Sequence, residues 1–198
     1  METIWGKTSL NLTCNGLRER LAHHHHIHLD LGTGDGRYAR CLAEQNPGAF
    51  VIGLDSCREN LHEHSRAKLP NLLFVVASAQ DLPPELNGLV SHVTVNFPWG
   101  SLLTSLLTGD PSLMRGLESI ASPMARMDLR LNGGALAEAG WDLASGAGQI
   151  HQNLLCAGWQ VQSPAFMAAA DLRSFPSTWA KRLAFGRDPR AMWMSGRK

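Results

Sequence analysis

Short apolar runs alternate with amphipathic stretches along most of the chain. Runs rich in Val, Ile and Leu and bounded by Gly, Pro or Asn are typical of buried strands, whereas apolar residues spaced three or four apart are typical of helices. On this basis six strands are predicted, at residues 27–31, 50–54, 72–77, 89–95, 124–131 and 159–166. Helices are predicted at residues 37–44, 58–67, 102–107, 113–120 and 148–157.

The order of these elements, strand then helix, is typical of a mainly parallel sheet with helices on both faces. The pattern contains no internal repeat, no low-complexity linker and no boundary, so residues 1–198 are predicted to form a single α/β domain. Within it, residues 1–25 are expected to form a small appendage, with a hairpin around Gly6 and Lys7, before the core at residues 26–198.

Composition narrows the class of protein. The apolar runs are too short to span a bilayer, and the N-terminal residues lack the basic-then-apolar pattern of a signal peptide. The four cysteines are scattered without CxxC spacing, and the histidines of AHHHHIH have no acidic or cysteine partner at ligand spacing. We therefore expect a cytoplasmic protein with reduced thiols, no membrane segment and no metal site.

The formal net charge of +1 hides an uneven distribution. Residues 173–198 carry seven basic residues and a single acid, whereas most of the preceding chain is neutral or acidic. Such a tail is typical of a protein with a polyanionic partner. Charge alone leaves a second interpretation open, in which the tail is a solvated C-terminal face.

The stretch HLDLGTGDGRYA places a glycine-rich turn directly after the first predicted strand, where a nucleotide-like ligand is expected. A dinucleotide fingerprint needs a small residue five positions after Gly32, and Arg37 stands there. Asp30 and Asp35 would repel a pyrophosphate, whereas S-adenosylmethionine carries an ammonium and a sulfonium. The turn is therefore predicted to bind S-adenosylmethionine, with Gly32 and Gly34 at the point of close approach.

Three further residues are predicted to lie at the cofactor. Asp55 ends the second predicted strand, where its carboxylate can accept hydrogen bonds from both ribose hydroxyls; the alternative is a cap for the helix that begins near Arg58. Ala79 and Gln80 follow the third predicted strand, where the adenine ring would lie and an amide can bond its edge. For Gln80 the alternative is simple exposure to solvent.

The motif NFPWGSLL follows the fourth predicted strand. In open α/β sheets ligands bind at the carboxyl ends of the strands, so this motif is expected to face the transferable methyl group. Pro98 stiffens the backbone and Trp99 offers a broad aromatic face. Asn96 and Trp99 match part of the Asn/Asp-Pro-Pro-aromatic motif of DNA adenine methyltransferases, but Phe97 stands where that motif has its first proline.

A second aromatic motif, STWAKRLAFGR, lies in the basic tail. Trp179 is followed by Lys181, Arg182 and Arg187, and a tryptophan among cations suits a flipped base held by stacking while the cations bind phosphates. The alternative is an amphipathic helix that packs Trp179 on the core together with two further apolar residues, Leu183 and Phe185.

Taken together, HLDLGTGDGR, NPGAFVIGLDSCRENL, FPWGSLL and STWAKRLAFGR resemble the aminoglycoside-resistance 16S rRNA methyltransferases that modify N1 of adenine 1408. The four motifs occur in the family's order, and the resemblance covers nearly the whole chain. It implies a Rossmann-like class I methyltransferase fold with a seven-stranded, mainly parallel sheet. It also implies S-adenosylmethionine as methyl donor, S-adenosylhomocysteine as product, and 16S rRNA in the 30S subunit as substrate of a monomeric enzyme that confers resistance to kanamycin- and apramycin-type drugs.

The resemblance assigns roles to individual residues. Trp99 and Trp179 would sandwich the flipped adenine, with Phe97 and Pro98 beside it. The cofactor contacts would fall on Asp30, Gly32, Asp55, Ala79, Gln80, Asn96, Ser101 and Ser177. The rRNA contacts would fall on Lys181, Arg182, Arg187 and Arg190. The segment of residues 62–71 is short and only modestly basic, whereas relatives can carry a longer, lysine-rich linker at this position.

Catalysis needs no obvious general base on this interpretation, because N1 of neutral adenine already has an in-plane lone pair. Direct in-line transfer, accelerated by orientation and exclusion of water, is expected. Three alternatives stay open: a small-molecule methyltransferase with both tryptophans in an apolar pocket, a non-catalytic cofactor-binding RNA module, and a tRNA guanine-N7 methyltransferase. The last places a His-Lys-Arg run after its fourth strand, which this sequence lacks.

Overall fold

A computed structural model describes residues 1–185 and 189–198. The strands in these ranges are β1 (Glu2–Trp5), β2 (Thr8–Asn11), β3 (His26–Leu31), β4 (Ala49–Asp55), β5 (Leu72–Val76), β6 (Val90–Asn96), β7 (Ala121–Asn132), β8 (Gln160–Val161), β9 (Ala165–Phe166) and β10 (Ala191–Arg197). The helices are α1 (Cys14–Leu21), α2 (Arg37–Gln45), α3 (Arg58–Leu61), α4 (Gly100–Thr108), α5 (Pro111–Ile120), α6 (Gly133–Glu138), α7 (Leu143–Cys156), α8 (Ala169–Ser174) and α9 (Thr178–Ala184).

All the described strands belong to one sheet, in the order β2-β1-β5-β4-β3-β6-β7-β10-β8, with β9 paired to β10. Neighbouring strands from β5 to β7 run parallel, whereas β10 is antiparallel to both β7 and β8. The seven strands from β5 to β8 therefore form the seven-stranded, mainly parallel sheet that the resemblance implies. The hairpin β1–β2 and the short β9 extend it to ten strands.

The strand order reverses at β3, because β3 pairs with β4 on one side and with β6 on the other. Chain segments that leave these strands diverge to opposite faces of the sheet and open a crevice at their carboxyl ends. This reversal point is the usual ligand position in open α/β sheets. The glycine-rich turn follows β3 directly, so the sequence places it at the crevice.

Several elements differ from the prediction. The single strand expected at residues 159–166 is two short strands, β8 and β9, interrupted by Pro164, which cannot donate a ladder hydrogen bond. The helix expected at residues 58–67 is the four-residue α3 followed by one 3₁₀ turn, His64–Arg66. Helix α7 begins five residues earlier than expected, at Leu143, capped by Asp142.

Three hydrophobic clusters hold the described elements together. The largest lies on one face of the sheet, and a smaller one lies on the opposite face, beneath α2. The third consists of Phe97, Leu172, Ala180 and Ala191 and packs α8 and α9 against the end of β6. Because α9 carries the second aromatic motif, the third cluster brings that motif to the crevice. None of the described helices combines the length and apolar character that a bilayer span requires.

Candidate active site

A cavity of about 280 Å³ lies at the carboxyl ends of β3, β4, β5 and β6, closed on one side by the start of α9. Its wall includes every residue that the sequence places at the cofactor, namely Asp30, Gly32, Gly34, Asp55, Ala79, Gln80, Asn96, Ser101 and Ser177. The residues predicted at the target base, Phe97, Pro98, Trp99 and Trp179, line the same cavity. The structure thus brings together residues that are up to 149 positions apart in the chain.

The glycine turn after β3 depends on backbone conformations that side chains rarely adopt. Gly32 and Gly34 have φ of +70° and +60°. A Cβ on Gly32 would lie 2.5 Å from Leu102, whereas a Cβ on Gly34 would meet nothing within 4 Å. Gly34 therefore leaves open space beside its backbone, which permits a ligand to approach closely.

Asp30 is the most enclosed acid of the cavity, with 1% of its surface exposed. Its carboxylate accepts hydrogen bonds from the hydroxyls of Thr33 and Thr94 and from the amide of Asn96, the last two at 2.9 Å. Burial raises the pKa of Asp30 from 3.8 to about 6, although the three hydrogen bonds act in the opposite direction. A cation placed near this carboxylate would stabilise its ionised form.

The amide of Asn96 is fixed at both ends. Its nitrogen donates to Asp30, and its oxygen accepts from the guanidinium of Arg130 at 3.0 Å. Because a carboxylate must accept and a guanidinium must donate, these two partners determine which end of the amide is which. One lone pair of the Asn96 oxygen is therefore occupied by the cationic Arg130, which makes this oxygen a weaker proton acceptor.

Asp55 lines the cavity, where the sequence predicts a ribose contact, and it also bonds to the backbone at the start of α3. One carboxylate oxygen accepts from the backbone of Gly34 and the other from the backbone of Cys57, each at 2.8 Å. Cys57 is the N-cap of α3, so Asp55 fastens the glycine turn to the start of that helix while it faces the cavity. Burial raises the pKa of this carboxyl as well.

Gln80 lines the cavity, but its side-chain amide is bound to neighbouring residues. The nitrogen donates to the hydroxyl of Ser105 at 2.8 Å and to the carbonyl of Ser101 at 3.3 Å, and the oxygen accepts from Ser78. The alternative of simple exposure is therefore wrong. The amide joins the segment after β5 to α4, and Ala79 lies beside it on the cavity wall.

The two tryptophans stand against each other at the mouth of the cavity. The rings of Trp99 and Trp179 are 5.2 Å apart between centroids and inclined by 28°, which is a stacked arrangement. Stacked bases lie about 3.4 Å apart, so a base between two rings requires about 7 Å. The rings must therefore part by about 2 Å to admit one.

Phe97 lies almost wholly in the third cluster, with 1% of its surface exposed, although its sequence position suggests a contact with the base. It adopts φ of +54°, in the left-handed region that is costly for any side chain. Its ring meets that of Phe175 edge-on at 5.8 Å, and Phe175 in turn stacks on Tyr38 at 5.0 Å. Phe97 thus supports the segment that carries Trp179.

The basic residues of α9 point to solvent. Lys181 and Arg182 are exposed, and the guanidinium of Arg182 lies 5.1 Å from the ring centre of Trp179. The helix itself agrees with the alternative interpretation of this motif, but Trp179 is 37% exposed and Phe185 is 80% exposed, so neither is a core residue. Arg190 precedes β10 and its carbonyl accepts from Gly133. Arg187 lies outside the described residues.

The cavity wall is acidic. Among the described residues it carries the carboxylates of Asp30, Asp35 and Asp55 and no lysine, arginine or histidine. This chemistry fits the cationic S-adenosylmethionine and would repel a pyrophosphate. In the described part of the chain, no group of three or more His, Cys, Asp or Glu side chains is arranged to hold a metal ion.

Sequence reasoning missed several residues that organise the site, chiefly Thr94, Arg130 and Thr178. Thr94 lies with His92 and Asn96 on the face of β6 opposite Val93 and Val95, and Arg130 continues the polar alternation of Arg126 and Asp128 along β7. A polar residue at an otherwise buried strand position was a signal that a partner was required.

The chain is similar to known rRNA methyltransferases along most of its length. The family model described as NpmA, 16S rRNA (adenine(1408)-N(1))-methyltransferase, matches residues 2–198. A protein named 16S rRNA (adenine(1408)-N(1))-methyltransferase from Streptoalloteichus hindustanus is 30% identical over 95% of this chain and 94% of its own length.

Two solved structures are similar to this chain over its whole length. The crystal structure of the 16S rRNA methyltransferase KamB has a TM-score of 0.89 at 28% identity, covering 100% of this chain and 99% of that one. The W203A mutant of the 16S rRNA (adenine(1408)-N(1))-methyltransferase from Catenulisporales acidiphilia, solved with cosubstrate SAM, has a TM-score of 0.87 at 25% identity, covering 100% and 96%.

Proposed function

Because this chain belongs to the 16S rRNA (adenine(1408)-N(1))-methyltransferase family, we propose that it transfers a methyl group to N1 of adenine 1408 in the 30S subunit. Family membership makes it an S-adenosylmethionine-dependent rRNA methyltransferase. The target atom, the sandwich of the base and the resulting resistance to kanamycin- and apramycin-type drugs are the parts that we propose. We further propose that it acts as a cytoplasmic monomer.

The observation that carries this proposal is an acidic cavity with a pair of tryptophans at its mouth. S-adenosylmethionine supplies an activated methyl group on a positively charged sulfur. Asp30 at the end of β3 and Asp35 on the glycine turn provide negative charge, and Asp55 lies where it can accept hydrogen bonds from ribose hydroxyls. The open space at Gly34 lets the backbone approach the ligand.

The tryptophan pair gives the base a binding site once the rings part. Trp99 is fixed by its packing on the core, whereas Trp179 is on a short, partly exposed helix, so Trp179 is the ring that we expect to move. Aromatic stacking contributes about 1–3 kcal/mol per base by alanine substitution, which offsets the energy lost when the base leaves its own stack.

The state of Asn96 favours N1 over the exocyclic amino group. Methylation of an amino group benefits from a nearby oxygen that accepts the departing proton, but the oxygen of Asn96 accepts from Arg130. N1 of neutral adenine needs no such acceptor, because its lone pair lies in the ring plane. Orientation of N1 by the two tryptophans, together with exclusion of water, then supplies most of the catalysis.

The exposed cations of α9 provide the RNA contacts. Lys181 and Arg182 lie on the same short helix as Trp179, so phosphates flanking the target can be bound while the base is held. We assign the same role to Arg187 and Arg190 from their place in the second aromatic motif and just after it. The carboxylates inside the cavity thus attract the cationic cofactor, whereas the cations outside it attract the phosphates of the RNA.

Incubation of the purified protein with radiolabelled S-adenosylmethionine and 30S subunits, followed by primer extension, tests the proposal. We expect label in 16S rRNA and a reverse-transcription stop next to adenine 1408. Label at another base of 16S rRNA would retain the enzyme class and refute the target. Label on tRNA alone, or on small molecules alone, would favour one of the two alternative enzyme classes.

A further inference from the structure

A single hydrogen bond joins the glycine turn to the helix that carries Trp179. The hydroxyl of Thr178, the first residue of α9, donates to a carboxylate oxygen of Asp35 at 2.5 Å, across 143 positions of sequence. Both residues line the cavity. The cofactor turn and the base-stacking helix are therefore in direct contact at the site itself.

Asp35 is held from its other side as well. Its second carboxylate oxygen accepts from the backbone of Arg37 at 3.1 Å, at the start of α2. The carboxylate thus bridges the beginnings of α2 and α9. It is partly buried, and a charge-assisted hydrogen bond in such surroundings is stronger than one between neutral groups in water.

Besides the stacking of its ring on Trp99, Trp179 depends on how the helix that carries it is held. Phe175 stacks on Tyr38 and Ala180 is buried in the third cluster. Trp179 is adjacent to Thr178, and a seven-residue helix with exposed cations has little intrinsic stability. The bond from Thr178 to Asp35 is therefore well placed to determine where the ring of Trp179 stands.

We propose that Asp35 and Thr178 are positioning residues that couple the cofactor to the target base. A ligand on the glycine turn fixes Asp35, Asp35 fixes Thr178, and Thr178 fixes the ring beside it. Cofactor and RNA then bind cooperatively, and each raises the affinity for the other by the same factor. The role in base binding rests on the proposed function; the contact between turn and helix does not.

The coupling factor is measured as the ratio of 30S dissociation constants without and with S-adenosylhomocysteine. For the unaltered protein we expect a ratio of about 5 or more. Thr178→Val keeps the shape of the side chain and removes the donor, so the ratio should fall to within twofold of one. Thr178→Ser keeps the donor and should restore most of the ratio.

A purely structural role predicts a different result, because loosening α9 alone weakens 30S binding equally with and without the ligand and leaves the ratio unchanged. That outcome in Thr178→Val would overturn the inference. Thr108→Val serves as a matched control, since its exposed hydroxyl donates to the backbone of Thr104 within α4. If Thr178→Val does not fold, Asp35→Asn replaces it and should give an intermediate ratio.

Failure of the proposed function is distinguishable from failure of the coupling. If the unaltered protein does not bind 30S, the proposed function fails. The coupling is then measured with 5-fluorotryptophan-labelled protein, in which the Trp179 resonance is assigned by its absence in Trp179→Phe. S-adenosylhomocysteine should shift that resonance in the unaltered protein and in Thr178→Ser. An equal shift in Thr178→Val would contradict the proposal.

Discussion

The position of Trp179 is determined by contacts with Trp99 and Arg182 rather than by burial, since 37% of its surface is exposed. Replacing it should therefore affect the base far more than the fold. We expect Trp179→Ala to lower kcat/KM for 30S by about 10–100-fold, in line with the loss of one stacking contact of about 1–3 kcal/mol. Trp179→Phe should retain most of the rate. Radiolabel transfer to 30S measures both.

Trp141 offers a matched control, because it is 36% exposed and lies outside the cavity wall. Trp141→Ala should leave kcat/KM within about twofold. The binding of S-adenosylmethionine, measured by calorimetry, should be similar in both alanine variants. Near-normal methylation by a folded Trp179→Ala protein would refute the sandwich of the base.

Asp30 makes cofactor binding dependent on pH. Its pKa of about 6 follows from burial, and the neighbouring His28, whose pKa burial lowers to about 3, is neutral throughout the range of interest. A cationic ligand prefers the ionised carboxylate, so binding should tighten as pH rises through 6. Without ligand the sign is opposite: the raised pKa favours the folded state at low pH, and this contribution is lost as pH rises from about 4 to 6.

We expect the affinity for S-adenosylmethionine to increase about tenfold between pH 5 and pH 7.5, as one carboxylate with this pKa ionises. Asp55, whose pKa burial also raises, acts in the same direction. Isothermal titration calorimetry in buffers of different ionisation enthalpy reports the proton released on binding. Asp30→Asn should bind weakly and with a much flatter pH profile; an unchanged profile would show that another group titrates.

At the residue scale, the chemistry of the site could be predicted wherever a local motif carried it. Asp30 and Asp55 lie at the carboxyl ends of β3 and β4 and Trp99 follows β6, so their place at the crevice follows from the rule for open sheets. Arg130 and Thr178 could not be found in this way. Their function depends on partners 34 and 143 positions distant, and a sequence pattern contains no information on such pairings.

At the scale of elements, Phe97 links β6 to the segment of α8 and α9. Phe97→Ala should lower the free energy of unfolding by about 3–5 kcal/mol, because a large buried ring is removed from a small cluster. Phe97→Gly should lose no more than Phe97→Ala, since glycine adopts the observed φ of +54° without strain. Urea denaturation measures both variants.

Loss of the ring should also loosen α9. Both Phe97 variants should therefore lose more activity on 30S than affinity for the cofactor. Phe97→Leu fills part of the space and should lie between these variants and the unaltered protein. A change of less than about 1 kcal/mol in Phe97→Ala would show that the third cluster does not anchor the segment.

The parallel strands were predictable because each is a short, nearly continuous apolar run. The hydrophobic pattern did not predict β10, Ala191–Arg197, although it pairs along its whole length with β7. It mixes Met and Trp with Ser, Gly and Arg, so its strand character comes from the neighbouring strand rather than from its own pattern. The pattern also did not predict the first residues of α7, because Gly146 and Gly148 have low helix propensity and weaken the helical signal.

At the scale of the molecule, the small net charge of +1 conceals an acidic cavity and a basic surface beside it. The carboxylates line the cavity, whereas Lys181 and Arg182 are exposed on the helix beside it. A cationic cofactor and a polyanionic RNA can then bind next to each other without competing for the same charges. The two affinities should consequently respond differently to salt.

Binding of 30S should weaken linearly on a logarithmic scale of salt concentration, whereas binding of S-adenosylmethionine should change little. If Lys181 contacts a phosphate, Lys181→Ala lowers the 30S salt slope by about one, because one fewer counterion is released. Arg115 is an exposed cation on α5, away from the cavity, and Arg115→Ala should leave the slope unchanged. Filter-binding titrations at several salt concentrations measure the slopes. An equal slope for Lys181→Ala and the unaltered protein would place the phosphate contacts elsewhere, since a residue that touches no phosphate releases no ion.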